Sequence, residues 1–330
     1  MPTRFGRPVA QSNLLASFVN EAGRLRNFAP PFQFTSFFSP EDTLLCAIAS
    51  ETALARARTS RRVDGRAPDA LRIVELTTGS GLVGLYLLQL ERKSRLVALD
   101  VDPAAVDTAA RNARRLGLSS RVRFECDDLW SESTSATLAR FSPHVMICNP
   151  PYVPEPADGE LGLEAGAGPD GTAHLMRTLE LADQIRPRAL ALSWCSLCDP
   201  GGVIREAERI GYSLSSLFIV AIADGEYSGS VHEYLRSLPH AFIAEDPDTV
   251  RAVAPDGSGR FAYLLMAGDF SADASPVKGT AAAVERISGN FARNGLSALL
   301  DPAAPIPVRT WLLDRWDEVR IRAVVHGGLD

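Results

Sequence analysis

Val145-Met146-Ile147-Cys148-Asn149-Pro150-Pro151-Tyr152 is the stretch around which this chain is organised. Four apolar residues in a row read as a buried parallel strand, covered on both faces. Two consecutive prolines then forbid further sheet pairing and fix the backbone as it leaves the sheet. The carbonyls of Asn149 and Pro150 are thereby aimed in a defined direction beside an aromatic ring. In an open α/β sheet the carboxyl ends of the strands are where ligands bind.

On either side of this stretch the pattern alternates strand and helix with short links. Strands are expected at Leu71 to Leu76, Leu96 to Asp100 and Val122 to Cys126, ahead of the one ending at Asn149. Helices are expected from about Gly81 to Lys93 and from Pro103 to Leu116, the second closed by Gly117. Such alternation implies a mostly parallel, doubly wound sheet of the Rossmann-like kind. Beyond Tyr152 comes a Gly- and Pro-rich loop, Pro154 to Gly171, longer than a mere connector. A helix from Thr172 to Ile185, a strand from Ala189 to Trp194 and a helix from Gly202 to Ile210 follow. Leu214 to Ile222 and Phe261 to Ala267 read as a closing pair of strands.

The ends read differently. Residues 1–68 are expected to form a helical and cover segment. It comprises an amphipathic helix from about Gln11 to Leu25, a Phe- and Pro-rich stretch from Phe28 to Phe38, and a second helix opening at Ser39-Pro40-Glu41-Asp42. Thr59 to Ala67, rich in arginine, reads as an exposed boundary. Residues 69–268 form the central domain, and residues 269–330 a helical extension with one helix from about Trp311 to Val325.

Composition narrows the function. A net charge of -6 argues against broad electrostatic attraction to nucleic acid. Five cysteines without a framework spacing point to a reducing, cytoplasmic setting. Cys195 and Cys198, a lone C-x-x-C, read as two buried thiols and not as a metal site, and no metal is expected. No apolar run reaches the roughly 20 residues of a membrane span.

The chemistry sits at strand ends. Gly79-Ser80-Gly81-Leu82-Val83-Gly84 spells G-x-G-x-x-G between a strand and a helix, a turn that suits a nucleotide cofactor. Asp100 ends the next strand, where a carboxylate can take both hydroxyls of a ribose. Both features suit NAD as well as S-adenosylmethionine. Glu75, just ahead of the glycines, favours the cationic ligand over a pyrophosphate. Asp128, after strand three, is placed to accept from an adenine amino group, with Leu129 beside it.

Taken together, these residues resemble the class I methyltransferases of the Asn-Pro-Pro-Tyr type, particularly the HemK-like protein-glutamine methyltransferases and their N6-adenine relatives. Val74 to Gly81 is similar to their first motif, Ala98-Leu99-Asp100 to their second, and Asp128-Leu129 and Asn149-Pro150-Pro151-Tyr152 complete the set. Ser39 to Leu45 is similar to the lead-in of the eukaryotic branch, whose threonine, here Thr43, touches the cofactor. The likeness runs from about Ser39 to Ile210. The family usually has Gly where this chain has Thr77, and a β-branched residue resists positive φ.

The resemblance implies a seven-stranded class I sheet and a dependence on S-adenosylmethionine. Cofactor contacts would come from Thr43, Glu75, Thr77, Gly79, Gly81, Asp100, Asp128, Leu129 and Asn149. The methyl group would go to a planar amide or amino nitrogen. The first choice of acceptor is a protein glutamine, then a small metabolite, then a nucleobase. Asn149 and Pro150 would accept the hydrogens of that nitrogen and Tyr152 would stack on its plane. The readings of another class are an NAD-binding Rossmann protein and an inactive cofactor-binding module. The terminal segments are candidates for a homodimer contact.

Overall fold

The structure, a computed structural model, describes residues 40–59, 69–159, 161–254, 257–313 and 321–326. The elements in chain order are α1 (Pro40–Thr59), β1 (Arg72–Leu76), α2 (Leu82–Leu90), β2 (Arg95–Asp100), α3 (Pro103–Arg115), β3 (Val122–Cys126), α4 (Glu132–Phe141) and β4 (Val145–Cys148). There follow α5 (Ala173–Ile185), β5 (Ala189–Cys195), α6 (Pro200–Arg209), β6 (Ser213–Ala223), three short helices α7 (Glu226–Ser230), α8 (His232–Ser237) and α9 (Pro247–Val253), and β7 (Ala262–Ser271). The chain then forms α10 (Thr280–Asn294), β8 (Val308–Leu313) and β9 (Ile321–His326).

Among the described residues one sheet carries all nine strands, in the order β3-β2-β1-β4-β5-β7-β6-β8-β9. The first five positions are parallel, and β7 enters antiparallel between β5 and β6. The doubly wound α/β reading therefore holds, and the strand order reverses at β1 and β4, where such folds bind ligands. The central strands are apolar runs because both faces are covered. All seven residues of β5 and all ten of β7 are buried.

Two expectations change. The sheet has nine strands and not seven, because residues after Ala267 do not leave it. β7 runs on to Ser271, β8 adds parallel to β6, and β9 pairs antiparallel with β8. Among its described residues the segment expected as helical thus holds α10, a 3-10 turn at Gly295–Leu299 and two strands, and β8 and β9 stand within the stretch Trp311 to Val325 that was read as a helix. The Val308-Arg309-Thr310-Trp311 run alternates with the period of a strand and carries β-branched and aromatic residues, which suit a pleated surface. The helix read over 11–25, the stretch from Phe28 to Phe38 and most of the arginine-rich boundary lie outside the described residues.

α4 joins β3 to β4 and has little apolar content. Ser131 caps it, its side chain accepting from the Thr134 N–H at 3.1 Å, and only Thr134, Thr137 and Leu138 are buried. α1 belongs to the core. Leu44, Leu45, Ala49 and Ala53 pack against the sheet, and Arg56 forms an ion pair with Asp269 near the end of β7.

Candidate active site

Register places the site. Leu76 at the end of β1 lies beside Cys148 at the end of β4, so the turns that start at Thr77 and Asn149 leave the sheet side by side. Both open on one cavity of about 630 Å³. Thr43, Glu75, Thr77, Gly79, Asp100, Asp128, Leu129, Asn149, Pro150 and Tyr152 all line it. Of the residues expected to contact cofactor or acceptor, Gly81 alone does not. Its φ is +76°, and a Cβ there would lie 2.8 Å from Ala109 Cβ, so it is a packing glycine between the turn and α3.

The first turn is closed by its own acids. Glu75 is 4% exposed and accepts from the Thr78 hydroxyl at 2.6 Å and from the Gly84 N–H at 3.1 Å. Burial pushes its carboxyl up to about 7, against the lowering pull of those two bonds. A Cβ on Gly84 would lie 2.5 Å from Glu75 Oε2 and 2.6 Å from Leu96 Cδ2, so the third glycine of the motif lets α2 approach both. Asp100 accepts from the Gly79 N–H at 2.7 Å and the Asp102 N–H at 3.0 Å, and burial raises its pKa as well.

Thr77 adopts φ +54°, the left-handed region that its Cβ disfavours. Its hydroxyl lies 2.5 Å from the Leu76 carbonyl and 3.1 Å from the Asn149 carbonyl. The side chain that makes this conformation costly thus ties the first turn to the second.

The second turn is organised from α1. The Tyr152 hydroxyl donates to Asp42 Oδ2 at 2.9 Å, and both side chains are buried. Burial, the largest influence, pushes the Asp42 carboxyl up to about 7, and it pushes the Tyr152 phenol well above its ordinary value. The Asn149 side-chain oxygen is buried and has no hydrogen-bond partner.

Asp42 escaped the sequence reading, in which it was only an acid at a helix start. No signal in the local sequence distinguishes it, because its partner Tyr152 is 110 residues away. Trp130, His174, Tyr227 and Tyr263 also line the cavity without having been singled out. Trp130 is half exposed at 51% and meets His174 edge-on, with ring centroids 5.0 Å apart. Of the acids in the loop after Tyr152, Glu164 faces the cavity and accepts from the Tyr227 hydroxyl. Glu155 instead accepts from the Leu161 N–H at 2.9 Å inside its own loop.

Nine carboxylates line the cavity, and no lysine or arginine does among the described residues. Such a wall repels a pyrophosphate and attracts a cation. Residues 64–161 match the family model of the methyltransferase small domain. This stretch carries a methyltransferase domain. The matched residues include both turns, Asp100, Asp128 and the Asn-Pro-Pro-Tyr sequence.

Curated relatives align over the same region. Release factor glutamine methyltransferase of Moorella thermoacetica is 35% identical over 111 residues, 31% of this chain and 38% of that protein. The protein of the same name from Chlorobaculum tepidum is 34% identical over 36% of this chain and 40% of its own length. A tRNA1(Val) (adenine(37)-N6)-methyltransferase from a Flavobacteriaceae bacterium is 31% identical over 37% of this chain and 48% of its own. The chain thus spans about two fifths to one half of the length of these relatives. Among the described residues no helix is long and apolar enough to cross a membrane, and no group of His, Cys, Asp or Glu side chains is arranged to hold a metal. All five cysteines are free, with Cys195 and Cys198 buried as expected.

Proposed function

We propose that this protein is an S-adenosylmethionine-dependent N-methyltransferase whose acceptor is a planar amide or amino nitrogen, with a protein glutamine as first choice. The observation that carries this reading is the buried, unpartnered side-chain oxygen of Asn149 in the same cavity as the glycine turn. Buried polar atoms are almost always satisfied, and one that is not calls for a ligand.

The cavity suits the cofactor. At Gly79, φ +53°, nothing lies within 4 Å of where a Cβ would stand, so a ligand can approach the backbone closely. Asp100 would take the ribose hydroxyls, Asp128 and Leu129 the adenine, and Thr43 and Thr77 the amino-acid end. The excess of carboxylates complements an ammonium and a sulfonium and disfavours NAD. When bound, S-adenosylmethionine supplies an electrophilic methyl group.

The chain's own residues do the rest. An amide or aromatic amine is a poor nucleophile because its lone pair is delocalised. Asn149 Oδ1 and the Pro150 carbonyl accept its two hydrogens, and those bonds strengthen as positive charge grows on nitrogen. Tyr152 stacks on the planar group and aims it, a contribution of positioning. No strong base is required before attack, because the proton becomes acidic only afterwards.

A small metabolite is the second reading. Tyr227 and Glu164 join two segments that both line the cavity, which favours a compact acceptor. A nucleobase in nucleic acid comes third, since the acidic wall opposes phosphates. A cytoplasmic location and a homodimer through the terminal segments belong to this proposal as well.

Calorimetry with S-adenosylmethionine, its demethylated product and NAD, followed by methyl transfer to glutamine peptides, metabolite extracts and oligonucleotides, tests it. Binding of the first two without NAD, and transfer to a glutamine peptide, is the expected outcome. Preferential binding of NAD would overturn the reading.

A further inference from the structure

We infer that Trp130 receives the adenine of the cofactor on its indole, and that His174 and Arg177 of α5 are positioning residues that hold the turn carrying it. The inference deepens the reading above and rests on the cavity taking S-adenosylmethionine.

Sheet order says where the adenosine end lies. β3 stands beside β2, on the far side of β2 from β1 and β4. With the ribose on Asp100 at the end of β2 and the sulfonium near Asn149 after β4, the base is directed toward β3. The turn found there runs from Asp127 to Trp130, and all four of its residues line the cavity.

That turn leaves an aromatic ring in the open. Among the described residues Trp130 is the one aromatic side chain that is exposed. Half of a large apolar ring left in water is unfavourable, and a flat base laid over it would gain both burial and stacking.

The exposure is not looseness, because the turn is held from two sides. Within it, the Trp130 N–H donates to Asp128 Oδ1 at 2.9 Å, and the Thr134 hydroxyl donates to the Asp128 carbonyl at 2.8 Å. From α5, Arg177 Nε donates to the Leu129 carbonyl at 3.0 Å, and Glu180 steadies the same guanidinium at 3.1 Å. His174 lies three residues before Arg177, on the same face of the helix. Its ring meets the indole at 73°, with centroids 5.0 Å apart, so it limits the tilt of Trp130. α5 follows the loop after Asn149-Pro150-Pro151-Tyr152, so one helix braces the adenine turn from the acceptor side of the sheet.

Calorimetry and indole emission test this without an acceptor. The ligands are S-adenosylhomocysteine and methylthioadenosine, which keeps the adenosine and lacks the amino-acid end. In the wild type, saturation with either ligand should shift the emission, and the shift should vanish in Trp130→Phe, which keeps a ring. Trp130→Ala should lower affinity for both ligands by the same factor, roughly tenfold, as expected for loss of a stacked base. His174→Ala should weaken both in the same way. His174→Phe, which keeps a ring against the indole without the nitrogens, should stay within threefold of the wild type.

An emission shift that survives in Trp130→Phe overturns the inference. So does a loss of affinity confined to S-adenosylhomocysteine, or a His174→Phe variant as weak as His174→Ala. A wild type that does not bind S-adenosylhomocysteine overturns the cofactor reading itself, and the inference falls with it.

Discussion

The two turns that meet in the cavity are built on opposite plans. Around the turn after β1, the two acids that hold it, Glu75 from β1 and Asp100 from the end of β2, are engaged within the protein: Glu75 by Thr78 and Gly84, Asp100 by Gly79 and Asp102. In the turn after β4, the corresponding polar group, Asn149 Oδ1, is buried and left open. The first turn is a preformed cradle whose polar groups chiefly hold its own shape. The second keeps one acceptor unsatisfied, and that is the arrangement expected where a reacting group is to be bound. Substitutions in the first turn should therefore be felt as stability, and those in the second as rate.

The largest effect expected is on stability against pH. Asp42 and Glu75 are raised from about 4 in the unfolded chain to about 7 when folded, and Asp100 is raised as well. Between those values these groups hold more protons in the folded state than in the unfolded one, so their contribution to stability is full below about pH 4 and is lost as pH rises through 7. A tenfold change in a group's acidity on folding is worth about 1.4 kcal/mol, so several kcal/mol are at stake in the ligand-free protein. A cation in the cavity favours the ionised acids and should offset part of the loss. Urea midpoints measured from pH 4 to pH 8, with and without S-adenosylmethionine, check this. A flat profile would break the contrast, because it would mean that the acids are solvated.

Glu75→Ala comes next. It leaves the Thr78 hydroxyl and the Gly84 N–H buried without an acceptor, at roughly 1–3 kcal/mol each. A loss of about 3 kcal/mol is expected at pH 5 by chemical denaturation. At pH 8 the loss should be smaller, because the ionised carboxylate it removes is itself costly to bury. In the other turn, Asn149→Ala should leave the denaturation midpoint nearly unchanged and lower turnover by two orders of magnitude or more, about 2.7 kcal/mol of activation free energy. Near-normal turnover in that variant would remove Asn149 from the chemistry.

Much of this was legible in the sequence for a physical reason. Strands buried on both faces must be apolar throughout, and the turns that end them must carry Gly, Pro or acids, so the runs at 71–76, 96–100, 122–126 and 145–148 announce themselves. What was not legible depends on contacts distant in sequence. α4 exposes most of its surface and has no apolar stripe to read. Trp311 to Val325 mixes charged and apolar residues without a clear period, and only pairing with β6 settles β8 as a strand. Asp42 looks like any acid favoured by a helix dipole until Tyr152 closes over it. Glu75 was read as a charge offered to a ligand, whereas its oxygens are taken up by the turn it precedes.

Thr77 belongs to both plans, and replacing it gives the smallest and most diagnostic effect. Thr77→Gly relieves a β-branched residue at φ +54°, a gain of about 1 kcal/mol or more. The same change deletes the hydroxyl that bridges to the Asn149 carbonyl, a loss of about 1 kcal/mol, and frees a glycine in the unfolded chain. Stability should therefore move by less than about 1 kcal/mol in either direction. If the bridge matters for register between the turns, turnover should fall several-fold while affinity for S-adenosylmethionine holds or improves, since the backbone is freer to approach the cofactor. Thr77→Ser separates the two effects: it keeps the hydroxyl without the β-branch, so it should retain turnover and gain a little stability. A Thr77→Ser variant as slow as Thr77→Gly would show that the methyl group, and not the bridge, sets the spacing of the two turns.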